Sequence, residues 1–277
     1  FLPSVFASCD WGSSRFRLRL VRSDSLQVLG EKETDMGVKK RSLLKSSSKD
    51  ENQVDCQTEL LKAFGIPKGE ASLMDPQQRF LLQLSWRAIE DAGYKASELR
   101  GSKTGVFIGG CHFDYRERLI ENMHNNQAYV STGTNGAVLA NRLSYFYDFV
   151  GPSMLLDTAC SSALVAVHEA IKCLRKGECE TALIGGVNLI ASFSNTLIYD
   201  SAGILSKTGE CRTFDQAADG YVRGEGAGVA MLKPLAQAIE DGDSIYAVIK
   251  GTAVNHGGQS SSLTAPNPQA QASLIRD

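Results

Sequence analysis

Short apolar runs alternate along this chain with longer stretches in which apolar residues return every three to four positions. The runs 104–109 and 181–187 predict strands of a central sheet, and 152–157, opened by Gly151-Pro152, predicts a strand covered on both faces. The stretches 74–93 and 163–174 have the length and periodicity of helices, and the second runs into a basic turn closed by Gly177. Residues 142–148 frame a helix and an aromatic turn, and 229–233 is strand-like. Near the start, 8–21 alternates apolar with basic residues around a tight turn, which predicts a strand, a turn and a second strand. Residues 41–53, rich in Ser, Lys and Asp, predict a solvated linker. Alternation of helices with buried strands implies an α/β architecture around a central sheet.

The candidate chemistry lies at one junction in this pattern. Asp157-Thr158-Ala159-Cys160-Ser161-Ser162 puts a thiol between the strand 152–157 and the helix 163–174, at or just before the helix N-terminus. Unpaired N–H groups and the positive end of the helix dipole lower a thiol's pKa there and offer a donor to a developing oxyanion. Small neighbours, Ala159, Ser161, Ser162 and Ala163, would let a carbonyl approach the backbone. The spacing leaves two readings open: an activated nucleophile, or a small core residue among seven cysteines.

The segment Asp157-Thr158-Ala159-Cys160-Ser161-Ser162-Ala163-Leu164-Val165 closely resembles the active-site segment of β-ketoacyl synthase (ketosynthase) domains of modular type I polyketide synthases. Further resemblances follow in the family's order: Met74-Asp75-Pro76-Gln77-Gln78-Arg79, Gly105-Val106-Phe107-Ile108-Gly109, Asn141-Arg142-Leu143-Ser144-Tyr145, Arg212-Thr213-Phe214-Asp215, Gly220-Tyr221-Val222-Arg223-Gly224-Glu225-Gly226, and Asn255-His256-Gly257-Gly258. The resemblance runs from about Phe64 to the end. It implies a thiolase-like fold, a five-layered αβαβα sandwich, of which this chain would hold most of the first half. It implies that Cys160 accepts an acyl chain, with its own N–H as one oxyanion donor, before a malonyl-type extender loses carbon dioxide and attacks. Dividing acyl transfer in this way replaces one difficult step by two easier ones. The partner implied is an acyl carrier protein bearing phosphopantetheine, with no cofactor bound directly to this chain and a homodimer as the assembly.

Departures from the family pattern set further expectations. Two later histidine segments, Glu-Ala-His-Gly-Thr-Gly-Thr and Asn-Ile-Gly-His, are not in this sequence, nor is the Gly-Phe-Gly-rich loop that supplies the second oxyanion donor. The histidines present, His112, His124, His168 and His256, match neither segment, so condensation by this chain alone is not expected. An alternative is therefore an acyl-holding or dimerisation scaffold. Ser8-Cys9-Asp10-Trp11-Gly12-Ser13-Ser14 resembles the first phosphate-binding hairpin of sugar kinases of the 2-dehydro-3-deoxygalactonokinase type, without the remaining parts of an ATP site, and reads better as a surface hairpin or a joined segment. The expected division is 1–53, unlike a ketosynthase, and 54–277, a truncated ketosynthase domain. Glycines at 220–228 are expected to pack closely beneath the nucleophile. Asp215, Asp219 and Glu225 are read as structural, and no metal site is expected.

Composition narrows the field further. A net charge of −2 over 277 residues gives no electrostatic case for nucleic acid or anionic membrane. No apolar stretch reaches the roughly 20 residues needed to span a bilayer, and no secretory signal is visible. Seven cysteines without CxxC spacing favour reduced thiols and a cytoplasmic setting. Phe1 in place of Met suggests that the natural start lies upstream.

Overall fold

The alternating segment near the start forms the first two strands of an antiparallel sheet, β1 (Val5–Trp11), β2 (Phe16–Arg22) and β3 (Val28–Thr34), in that order. Register runs from Trp11 opposite Phe16 to Val5 opposite Arg22, and a bulge at Leu20/Val21 shifts the pairing with β3. The structure, a computed structural model, describes residues 5–11, 16–22, 28–34, 63–121 and 128–277. The kinase-like turn at 12–15, the linker expected at 41–53 and His124 lie outside the described residues. The chain divides into two units, Phe1–Glu51 and Asn52–Asp277.

In the second unit, the short α1 (Lys68–Ala71) precedes α2 (Pro76–Asp91), the first long predicted helix. Asp75 caps α2 by accepting the Gln77 N–H at 2.8 Å, and Pro76 supplies a preset φ in the first turn. Gly93, at φ +84°, ends it, and the Tyr94 N–H bonds back to the Ile89 carbonyl at 3.1 Å. There follow β4 (Thr104–Gly109), α3 (Tyr115–Glu121), α4 (Ala128–Thr134), α5 (Val138–Tyr147), β5 (Ser153–Leu156) and α6 (Ser162–Lys176). Helix α6 stops as predicted at Gly177, φ +70°, where the Glu178 N–H reaches the Cys173 carbonyl at 3.1 Å. The remainder is β6 (Thr181–Asn188), α7 (Ser194–Ser201), β7 (Gly226–Leu232), α8 (Leu235–Glu240) and α9 (Pro268–Arg276).

The sheet runs β5-β4-β6-β7, with β4 parallel to both β5 and β6 and with β7 antiparallel to β6. Strand β4 is buried at every position, as a strand covered on both faces must be. Its side chains alternate. Val106 and Ile108 enter a core with Leu81, Leu82 and Ile89 of α2 and Leu139 and Leu143 of α5, whereas Phe107 packs with Ala166, Ala170 and Cys173 of α6. Each of the fully buried leucines and isoleucines among them contributes on the order of 2–5 kcal/mol against truncation to alanine. Tyr147 closes the first core by sharing a 3.0 Å hydrogen bond with Ser85, and burial pushes its phenol up to about 12.

Strand β5 departs from expectation. Among the described residues it is an edge strand, paired only with β4 in its sheet, and Met154 is 39% exposed. An apolar run reads the same at an edge as in the middle of a sheet, because neighbours on the open side do not enter the pattern.

Candidate active site

Strands β4, β5 and β6 run in one direction, so the loops that leave them gather at one edge of the sheet. In open α/β sheets this carboxyl edge is where ligands bind. Strand β7 runs the other way with Gly226 opposite Asn188, the last residue of β6, which brings residues 221–225 to the same edge.

Cys160 lies in the corner from β5 into α6, and it is exposed. Side chains of the corner hold it in shape. Asp157 accepts the Ala159 N–H at 3.0 Å, and Ser162 accepts the Thr158 N–H at 2.9 Å while donating to the Ala159 carbonyl at 2.6 Å. Thr158 and Ser161 share a hydroxyl contact of 2.9 Å. Ala159 is left-handed, φ +54°, a conformation that costs a residue with a Cβ about 1–2 kcal/mol. The bonds around it over-determine the turn and hold Cys160 one residue ahead of the Ser161 cap of α6.

The glycines that permit this corner are not those expected. A Cβ at Gly109 would lie 2.4 Å from the Ala163 nitrogen, and one at Gly186 would lie 2.8 Å from the Ala163 Cβ, so β4 and β6 seat the first turn of α6 directly on the sheet. In the 220–228 run, by contrast, Gly224 and Gly226 face open space. Gly220, at φ +141°, packs against the backbone of Leu205 and Ser206 rather than beneath the nucleophile.

Around Cys160 the edge carries polar side chains that sequence reasoning left without a role. His112 follows β4, and its Nδ1 lies 3.0 Å from Asn188 Oδ1 and 3.2 Å from the Cys111 sulfur. Its Nε2 meets the Tyr199 hydroxyl of α7 at 2.8 Å. Arg223 lies over the Tyr199 ring, 5.3 Å from its centroid, and donates to Thr196 at 2.6 Å. The Cys111 thiol is held above its usual range by burial, with Asp157 and Cys160 adding to the effect and Arg223 opposing it. The Tyr221 phenol is likewise raised, by burial first and then by Tyr199 and Cys160 against Arg223. Both groups are therefore within electrostatic reach of Cys160.

A polar layer, buried at Gln77, Gln78 and Asp114, supports this edge. Gln77, 2% exposed, donates to the His112 carbonyl at 2.8 Å and accepts the Leu189 N–H at 3.3 Å, so one side chain of α2 ties the loop after β4 to the loop after β6. Asp114 accepts the N–H groups of Ala191 and Ser192, each at 3.2 Å, and Glu225 accepts that of Ile190 at 2.7 Å. Arg142 joins Gln78 and Glu70, each at 2.7 Å.

The remaining candidates take structural positions. His168 pairs with Thr252 at 2.9 Å, and His256 accepts the Gly258 N–H at 2.9 Å within its own turn. Asp219 binds Ser206 and the Lys207 N–H, and Asp215 accepts the Ala217 N–H. Among the described residues no group of three or more His, Cys, Asp and Glu side chains is placed to hold a metal, and no helix is long and apolar enough to cross a membrane.

Comparison with known proteins agrees with this layout. Residues 27–238 match the family model described as "Beta-ketoacyl synthase, N-terminal domain", a match that starts upstream of Phe64. Polyketide synthase PksN of Bacillus subtilis is 51% identical over 213 residues, which cover 77% of this chain and 4% of that protein. Polyketide synthase ThaG of Burkholderia thailandensis is 48% identical over 213 residues, covering 77% of this chain and 4% of its own length. Among solved structures, the oxazolomycin ketosynthase domain OzmH KS7 of Streptomyces albus superposes with a TM-score of 0.72 at 41% identity, covering 77% of this chain and 37% of that one. The ketosynthase from module 6 of the bacillaene synthase of Bacillus subtilis gives 0.71 at 41% identity, over 77% and 36%. The chain thus spans only a small part of its curated relatives and about a third of these structures. A mixed sheet with a fully buried central strand, an exposed cysteine at the corner of its edge strand, and a family match over most of the length make this chain a member of the β-ketoacyl synthase family, with the family's N-terminal domain and its thiolase-like fold.

Proposed function

We propose that this chain carries the acyl-accepting half of a β-ketoacyl synthase of a polyketide-type assembly line, with Cys160 as the nucleophile. The observation that carries the reading is the placement of Cys160: exposed, at the carboxyl edge of the sheet, on a constrained turn into the N-terminus of α6. A thioester carbonyl reaching that corner would meet the sulfur, with the Cys160 backbone N–H as the donor assigned to the developing oxyanion. The Cys160 thiol gives up its proton, the Sγ–C bond forms, and the C–S bond to the donor breaks. The phosphopantetheine thiol of an acyl carrier protein leaves with the proton, so no free cofactor is consumed. In the parent protein the loaded acyl group would then undergo decarboxylative Claisen condensation with a malonyl-type extender, in a cytoplasmic homodimer.

A second reading, acyl holding without elongation, draws support from the histidines. His112, His168 and His256 all spend ring nitrogens on partners other than Cys160. Polarising an extender carbonyl needs donors aimed at it, each typically worth a hundredfold or more in rate. Among the described residues, loading is therefore the half-reaction that the side chains support best.

The test is incubation with an acyl thioester, followed by intact-protein and peptide mass analysis. Acylation mapped to Cys160 and absent from Cys160→Ala supports the assignment. Acylation persisting in that variant rules it out.

A further inference from the structure

Three side chains at the carboxyl edge that acyl transfer leaves idle are joined by hydrogen bonds of fixed direction. Asn188 ends β6, His112 follows β4 and Tyr199 belongs to α7. Asn188 Nδ2 donates to the Gly224 carbonyl at 2.6 Å, since the flipped amide would set two acceptors against each other. Its Oδ1 therefore faces His112 and takes the Nδ1 proton at 3.0 Å, with the Cys111 sulfur 3.2 Å from the same nitrogen. That settles the tautomer: Nε2 keeps its lone pair and accepts from the Tyr199 hydroxyl at 2.8 Å.

A hydroxyl bonded to an imidazole, which a third polar group holds in one tautomer, is the arrangement that activates weak oxygen nucleophiles. Asn188 acts only through His112 and is a positioning residue. A cation completes the set. Arg223 lies over the face of the Tyr199 ring, 5.3 Å from its centroid, and is anchored on the neutral Thr196 hydroxyl at 2.6 Å. Its Nη2 is buried with no hydrogen-bond partner among the described residues. As the phenol proton moves to His112, the negative charge left on the tyrosine develops beside this guanidinium and is stabilised by it. A phenol oxygen is a hard nucleophile and suits a hard centre such as the phosphorus of a phosphoryl group, whereas a thiol bonds such a centre weakly. This chemistry is therefore separate from thioester exchange at Cys160.

We infer that Tyr199 is a second nucleophile of this chain, with His112 as its general base and Asn188 holding that base, and that it accepts a phosphoryl-type group from an activated donor. In the step, the Tyr199 Oη–P bond forms as the bond from phosphorus to the leaving group breaks. The phenol proton passes to His112 Nε2 and departs with the leaving group, so no further reactant is consumed. The inference does not rest on the acyl-transfer reading of Cys160.

In the test, the 277-residue chain is incubated with an alkyl fluorophosphonate, whose leaving group is fluoride, and the label is followed at each tyrosine by peptide mass analysis. Tyr145 is the internal reference, because it is 89% exposed whereas Tyr199 is only partly so. If access alone decided, Tyr145 would label first. Activation is expected to make Tyr199 label at least about tenfold faster than Tyr145, a modest share of what a positioned base supplies. Equal labelling, or faster labelling of Tyr145, overturns the inference, and this arm needs no variant to fold. His112→Gln, which retains a polar side chain but no base, is expected to slow Tyr199 about a hundredfold while Tyr145 in the same sample keeps its rate. Asn188→Ala is expected to lower the ratio of the two rates in the same direction. A ratio that holds in either variant overturns the inference.

Discussion

Gly109 and Ala163 touch so closely that a Cβ on Gly109 would lie 2.4 Å from the Ala163 nitrogen. The obstacle is helix backbone rather than the tip of a flexible side chain. Gly109→Ala must therefore push the first turn of α6 off the sheet, and Cys160 with it. Overpacking of this kind costs about 1–3 kcal/mol. The expected result is a lower midpoint in urea unfolding together with slower acylation of Cys160. A variant as stable as wild type and loading at the same rate would show that the corner adjusts freely.

Ala159 tests the turn from the other side. At φ +54° it carries the strain of a Cβ that glycine lacks. Ala159→Gly is expected to change stability by no more than about 1 kcal/mol, since relief of strain is offset by the entropy of the unfolded chain. Ala159→Val places a branched side chain in the same conformation and is expected to cost about 1–2 kcal/mol or more. Thermal unfolding of the two variants side by side measures the difference, and equal stabilities would mean that residue 159 leaves the left-handed region in solution.

Gln77 offers a third test, from outside the site. Gln77→Ala leaves the His112 carbonyl and the Leu189 N–H without their buried partner, at a cost of about 2–4 kcal/mol for the two groups together. Both loops at the carboxyl edge lose a tether, so loading of Cys160 should fall along with the unfolding midpoint in urea. Loss of stability with an unchanged loading rate would show that α2 supports the core alone.

The sequence made the sheet and the nucleophile corner legible because their signals are local. Strand β4 reads from six consecutive small or apolar residues, and α6 reads from its periodicity and from Gly177 at its end. The cluster at the carboxyl edge was not legible. His112 and Tyr199 stand 87 residues apart, and their contact depends on two parallel crossovers that no local pattern encodes. A signal was available in Cys111-His112 directly after a glycine-ended strand, at the sheet edge where ligands bind. The glycines illustrate the same limit. The dense run at 220–228 attracted the packing role, whereas isolated Gly109 and Gly186 perform it, because what decides is the residue opposite and not the number of glycines nearby.

Lys233, just beyond β7, donates to Asp241, to Asp243 at 2.8 Å and to the Tyr94 hydroxyl at 2.7 Å, which ties the end of α2 to the turn after α8 and makes stability depend on pH. The Asp243 carboxyl is held below its ordinary value of 3.8 by Lys233 and then by Tyr94. Burial pulls the Lys233 ammonium down, but its three partners outweigh burial and hold it above its ordinary 10.5. A carboxylate with a depressed folded value contributes stability that is present above its unfolded value and lost as pH falls through the folded one. A cation with a raised folded value contributes stability that is present below its unfolded value and lost as pH rises through the folded one. The network therefore works at full strength between about pH 4 and pH 10. Asp243→Asn is expected to cost about 1–2 kcal/mol at pH 7, the scale of hydrogen bonds to a charged group. That deficit should shrink steadily below pH 4, where wild-type Asp243 also takes up a proton. Urea unfolding of both proteins at a series of pH values reads the gap directly. A gap at pH 3 as large as at pH 7 would assign the loss to packing of the side chain and not to its charge.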